Sequence, residues 1–141
     1  MPDLVRFQSA APNRHGSFPG VFALANGLRD EGRLSEEEMA WITASNAHMN
    51  AAYADPSTVV ADCYDRTINP RARAWFRADA VDLLRVTRDY LDLLDRHAVP
   101  WHEIRTRTPG RIVYADDVQV VAVPHTHDDW PFRQPSQDAG A

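Results

Sequence analysis

The fold of this chain is decided by FRADAVDLLRVTRDYLDLLDRHAVPWHEIRTRTPGRIVYADDVQVVAV, residues 76–123. The first part carries a mostly apolar stripe spaced by threes and fours, which predicts one face of an α-helix. The stripe consists of Phe76, Ala80, Leu83, Leu84, Thr87, Tyr90, Leu91 and Leu94. Pro100 ends it, because proline has no backbone N–H and biases the preceding residue to extended geometry. The β-branched runs that follow predict strands over Trp101–Thr106, Arg111–Ala115 and 118–123.

The N-terminal side predicts one more strand and further helices. Leu4–Ser9 alternates as a short strand that pairs with the later ones. The whole pattern predicts an α+β fold, with a small antiparallel sheet of three or four strands packed on one face by two or three helices. We expect a single domain over residues 1–123. Residues 124–141 are rich in proline and poor in aliphatic residues, which predicts a loosely ordered tail.

Local signals predict where the helices start and end. Pro19 suits the first turn of a helix that Gly32 ends as a left-handed cap. Ser35 and Glu38 form the pattern of a capping box, in which each side chain satisfies a backbone amide at the start of the next helix. Asn69-Pro70 resembles an N-cap followed by a first-turn proline, so the long helix begins there or restarts near Asp79.

Composition narrows the class of protein. The chain has 141 residues, 44% of them hydrophobic, which suits one domain with a core. All fifteen basic residues are arginine and the formal charge is −5, which argues against a dominant nucleic-acid surface. A lone cysteine and the lack of a long apolar run predict a soluble, cytoplasmic protein. Nothing in the sequence predicts a cofactor, and the oligomeric state is left open.

The loop before the first helix is one candidate site. Asn13, Arg14 and His15 stand there beside Gly16. Backbone amides at the helix N-terminus, together with Arg14, predict a place for an anion. His15 would then transfer protons near neutral pH. The alternative is a polar surface loop.

Asn46 is a second candidate, because it interrupts an otherwise apolar helical stripe. A buried amide needs partners, so Asn46 either holds the core together or contacts a ligand.

The third candidate is the densest group of polar side chains in the chain. It runs from Asp62 to Arg66 and includes Cys63, Tyr64 and Asp65, followed by Asn69, Arg71 and Arg73. Carboxylate, phenol and guanidinium groups together would bind a phosphate or a carboxylated substrate and leave Asp65 as a base. The alternative is that these residues form the solvated ends of two helices. Cys63 is a weak nucleophile candidate, since no base is placed by spacing.

A metal site is not predicted. His125 and His127, with Asp128 and Asp129, have suitable atoms, but they follow Pro124 into the expected tail and lack a rigid scaffold.

Two functions follow from these features. The first is a small intracellular binding or accessory domain that recognises a partner protein or small ligand in a cleft between sheet and helices. The second is a small acid/base enzyme acting on a phosphate- or carboxylate-bearing substrate, with His15 or Asp65 as the proton-transferring group. Convergence of the 13–16 loop and the 62–73 cluster on one pocket would favour the enzyme.

Overall fold

The computed structural model describes residues 3–125. These form an α+β domain in which all strand pairs of the sheet are antiparallel. The elements are β1 (Leu4–Ser9), α1 (Val21–Asp30), α2 (Glu36–Ala52), α3 (Pro56–Val59), β2 (Arg73–Arg77), α4 (Val81–Arg96), β3 (Trp101–Thr106), β4 (Arg111–Ala115) and β5 (Gln119–Val123). The sheet has five strands in the order β3-β1-β2-β5-β4, more than the three or four predicted. The expected tail lies mostly outside the described residues.

The additional strand is β2, which replaces the predicted start of the long helix. Asn69-Pro70 begins no α-helix; Arg71, just after it, has a φ of 64°, in the left-handed region. Trp75 and Phe76 are both buried although neighbours on a strand face opposite sides, so the polar/apolar alternation of a half-exposed strand is missing. Phe76 therefore belongs to β2, and the helix restarts at Val81.

The two faces of the sheet belong to separate apolar clusters. Val5, Phe7 and Phe76 join the main core with buried residues of α1 and α4. Leu4 and Trp75 pack with Val120 on the other face, as the alternation of side chains along a strand requires. Helices thus cover one face of the sheet.

β1 and β2 pair over a short distance and then diverge. Their register is Leu4 with Arg77 and Val5 with Phe76. Beyond Val5, β1 continues to pair with β3, while an isolated bridge joins Gln8 to Gly20. The segment before α1 thereby comes up against β1, and the divergence opens a space beside Arg6.

Several predicted helix ends are confirmed. The Ser35 hydroxyl accepts from the Glu38 amide at 3.1 Å and the Glu38 carboxylate accepts from the Ser35 amide at 3.0 Å, which completes the capping box. Gly32 has a φ of 71° and follows α1 as the left-handed cap. Pro19 does not lie in the first turn as predicted, because Gly20 is the N-cap and α1 starts at Val21. No helix within residues 3–125 is both long enough and apolar enough to cross a bilayer.

Candidate functional site

A cleft of about 880 Å³ lies where β1 and β2 diverge. Its walls come from both strands, α1, α2, the loop 13–20 and the segment 53–66. The charged side chains among the described lining residues are Arg6, Arg29, Arg66, Arg73 and Asp55. Asp55 is occupied as the cap of α3, where its carboxylate accepts from the Ser57 amide and hydroxyl. Arg29 pairs with Asp30 at 3.2 Å. The described lining still has more arginines than carboxylates, in a chain of negative formal charge.

Arg6 is the most buried charge in this wall, with only 8% of its surface exposed. Nε donates to the Gln8 side-chain oxygen at 2.8 Å, Nη1 to the Ala74 carbonyl at 2.9 Å and Nη2 to the Phe18 carbonyl at 2.8 Å. All three acceptors are neutral, and within residues 3–125 no carboxylate contacts Arg6. A guanidinium has five N–H groups, so two of them are not used by the described residues.

The electrostatic environment of Arg6 opposes its charge. Burial, followed by the nearby charge of Arg73, lowers the pKa of Arg6 to about 9, and the Tyr64 hydroxyl raises it. Burial also raises the pKa of the Tyr64 phenol to about 12. Arg6 thus remains a cation near neutral pH, beside a second arginine and a protonated phenol, and an anion would relieve its unfavourable environment.

The N-terminus of α1 forms the wall next to Arg6. The N-cap is Gly20, which provides no side-chain cap, and the first turn contains no acidic residue. Gly20, Val21, Phe22 and Ala23 all line the cleft. The amides of a first helical turn have no partner inside the helix, and the helix dipole favours negative charge there. A Cβ on Gly20 would lie 3.4 Å from the Arg6 Nη1, so this N-terminus and the guanidinium lie side by side.

Another part of the wall contains a chain of side chains that are hydrogen-bonded to one another. The Tyr90 hydroxyl donates to the Asn46 Oδ1 at 2.7 Å, and the Asn46 amide donates to the Asn26 Oδ1 at 2.8 Å. Asn26 in turn donates to the Phe22 carbonyl at 2.8 Å. This chain of bonds joins α4, α2 and α1. Asn46 therefore holds the helices together, the first of its two predicted roles, although it also lines the cleft.

The 13–16 loop contributes some of its predicted residues to the cleft. Asn13 and His15 line it, whereas Arg14 does not. The Asn13 Oδ1 accepts from the amides of His15 and Ser17, at 2.9 and 3.0 Å, and so shapes the loop. His15 is exposed at the rim. The arginine nearest the helix N-terminus is Arg6, where the sequence predicted Arg14.

Likewise, only some members of the 62–73 cluster line the cleft. Tyr64, Arg66 and Arg73 line the cleft, whereas Asp65, Asn69 and Arg71 do not. The Asp65 carboxylate accepts from the amides of Thr67 and Ile68, which lower its pKa and fix a local turn. Asn69 is buried, donates to the Asp62 carbonyl at 2.9 Å and accepts from Arg111 at 3.0 Å. Arg71 is exposed in its left-handed conformation.

The structure gives no support to Cys63 as a nucleophile or to a metal site among the described residues. Cys63 is fully buried, and burial followed by Asp55 and Asp62 raises the pKa of its thiol, which disfavours the reactive thiolate. Residues 3–125 contain no cluster of three metal-binding side chains. His127, Asp128 and Asp129 lie outside the described residues.

Sequence reasoning missed Arg6 and Gly20. Alternation along β1 put Arg6 opposite Val5 and Phe7, the usual position of a solvated residue. The available signal was an arginine within a strand whose other residues are apolar or uncharged. Gly20 gave no signal, because its role depends on a contact with β1.

No known protein family, curated protein or solved structure matches this chain.

Proposed function

We propose that this protein is a binding domain for a small anionic molecule, held in the cleft beside Arg6. The observation that carries the proposal is the burial of the Arg6 guanidinium against neutral acceptors alone among the described residues. A desolvated charge without a counterion is costly, and proteins ordinarily pair it. An anion in the cleft would supply the pair.

The surroundings of Arg6 favour the same ligand class. The first turn of α1 offers backbone amides next to the guanidinium, and helix N-termini are frequent anion sites. The arginines of the wall add long-range attraction for a negative ligand. A concave site with a few convergent polar groups is the usual form of a small-molecule pocket, and its volume falls in the ordinary range.

Thermal unfolding with added anions tests this proposal. Phosphate, sulfate and acetate are compared with chloride at equal ionic strength, and a bound anion is expected to raise the melting temperature, more so for a tighter ligand at the same concentration. Arg6→Met is expected to abolish that increase. Arg88→Met, which removes an exposed arginine outside the cleft, is the matched control and should respond like the wild type.

Gly20→Ala tests the site without removing a charge. Its φ of −78° suits alanine, and the added methyl would contact the guanidinium, so binding should weaken while folding is retained. Equal responses of wild type, Arg6→Met and Gly20→Ala to every anion would overturn the proposal.

An acid/base enzyme on the same anion is the second candidate function. Its supporting observation is that His15 and Tyr64 line one cleft with the buried arginine. The test is to incubate the protein for a long time with an anion that it binds, recover that anion, and look for a change in its mass by mass spectrometry. Chemical change that His15→Gln prevents would support the enzyme, and unchanged ligand would support the binding domain alone.

A further inference from the structure

The cleft combines one strongly cationic end with an extended apolar surface. Phe22 and Met49 line it as half-buried side chains, and Phe76, Leu83 and Tyr90 lie behind them as buried core residues. Phe22 packs on Tyr90 with ring centroids 4.8 Å apart and on Phe76 at 5.8 Å. A simple inorganic anion would contact only the Arg6 end and would leave this surface unused.

The polar groups in the apolar part are already bonded to one another. Tyr90, Asn46 and Asn26 form a chain that ends on the Phe22 carbonyl. A polar ligand body would have to break these bonds or lose its own hydration, and either costs free energy. An apolar body has no such cost and would bury hydrocarbon against the rings.

The charged end fits a carboxylate. Arg6 has two N–H groups that the described residues do not use, and a planar guanidinium matches the two oxygens of a carboxylate.

On the basis of the proposed function, we infer that the ligand is an amphiphilic monocarboxylate. Its carboxylate lies between Arg6 and the first turn of α1, and its hydrocarbon or aromatic body lies against Phe22, Met49 and Phe76. The class includes medium-chain fatty acids and arylalkanoic acids, which share this chemistry.

Calorimetric titration of the full chain with acetate, butyrate, hexanoate and octanoate tests the inference. Each buried methylene contributes about 0.8 kcal/mol, so affinity is expected to rise about fourfold per carbon over the length of the apolar surface. 3-Phenylpropionate should bind at least about tenfold more tightly than acetate on the same basis. Octanol, which has the body without the charge, should bind more weakly than octanoate.

Three variants test which residues contact the carboxylate and which contact the apolar body of the ligand. Arg6→Met and Gly20→Ala should weaken every carboxylate in the series. Met49→Ala should reduce the gain with chain length and leave acetate unchanged, a split that general loss of folding would not produce.

Different results would overturn the inference and the proposed function. Phosphate binding that depends on Arg6, with carboxylate affinity independent of chain length, would overturn the amphiphile and retain the anion site. Octanol binding equal to octanoate, with no effect of either Arg6→Met or Gly20→Ala, would overturn both.

Discussion

The imidazole of His97 lies 3.0 Å from the carboxylate of Glu38, and this contact joins the start of α2 to the end of α4. The same carboxylate accepts from the Ser35 amide within the capping box and from Arg96 at 3.3 Å. One residue thus caps its own helix and fixes the position of another. Hydrogen bonds from Ser35, then from His97 and Arg96, lower the pKa of Glu38 from 4.5 to about 2.

Glu38→Gln is expected to reduce stability in a manner that depends on pH. A carboxyl whose pKa is lowered by folding stabilises the native state above its ordinary pKa of 4.5, and that contribution is lost as the pH falls towards about 2. Glutamine keeps a capping-box side chain, so the variant isolates the charge. Urea melts should show a difference from wild type that is present above pH 4.5 and shrinks as the pH falls below it.

Glu37→Gln is the control for this titration. Glu37 stands in the same first turn and is exposed, so its variant should show no comparable change across the acidic range. A Glu38→Gln difference that persists undiminished at the lowest pH would contradict the assigned role.

Ala98→Gly is expected to stabilise the protein by about 0.5 to 1 kcal/mol, because left-handed geometry is costly for a residue with a Cβ. Ala98 follows α4 with a φ of 57°, and the Val99 amide donates to the Leu94 carbonyl across it. Chemical denaturation measures the change. Ala47→Gly, at an exposed position inside α2, should instead destabilise by about 1 kcal/mol. A loss of stability in both variants would contradict this prediction.

Gly27→Ala should also stabilise, by about 0.5 to 1 kcal/mol, since alanine is the better residue in a helix interior. Gly27 lies within α1, and a Cβ there would meet no atom within 4 Å. Gly32→Ala is the opposing control, because its φ of 71° disfavours alanine. In thermal and urea melts the unfolding midpoint should rise for Gly27→Ala and fall for Gly32→Ala. A change in the same direction for both variants would contradict the prediction.

Tyr90→Phe is expected to cost about 1 to 2 kcal/mol, since it leaves the Asn46 oxygen without its donor in a half-buried network. Tyr53→Phe is the matched control, because within residues 3–125 the Tyr53 hydroxyl makes no hydrogen bond. Urea melts of the two variants decide the point. Equal effects would show that the Tyr90 hydroxyl adds nothing to the joining of the helices.

Features fixed by neighbouring residues could be predicted from the sequence. The Ser35 and Glu38 capping box and the Gly32 cap depend on atoms a few residues apart, and both are confirmed. β2 could not be predicted in this way, because Trp75 is buried by contacts with residues far along the chain, including Val120. Phe76 also has the spacing of the helical stripe, and only its pairing with Val5 makes it part of a strand.

The candidate site shows the same division. The loop before α1 could be predicted to border a site from its position, and Asn13 and His15 do line the cleft. The cation could not be chosen, because Arg6 is buried by the Phe18 and Ala74 carbonyls, the second of which is 68 residues away. Arg14 was nearer in sequence but remains exposed.

The interior place of β1 in the sheet, between β3 and β2, has a consequence for how the protein folds during synthesis. Leu4 pairs with Arg77 on one side and with Thr106 on the other, so β1 must wait for two strands that are synthesised much later. Pairings of such long sequence separation form slowly, because loop closure comes before any contact that rewards it. Until β3 has emerged, the apolar residues of β1 remain open to chaperones, and folding on the ribosome is expected to finish late.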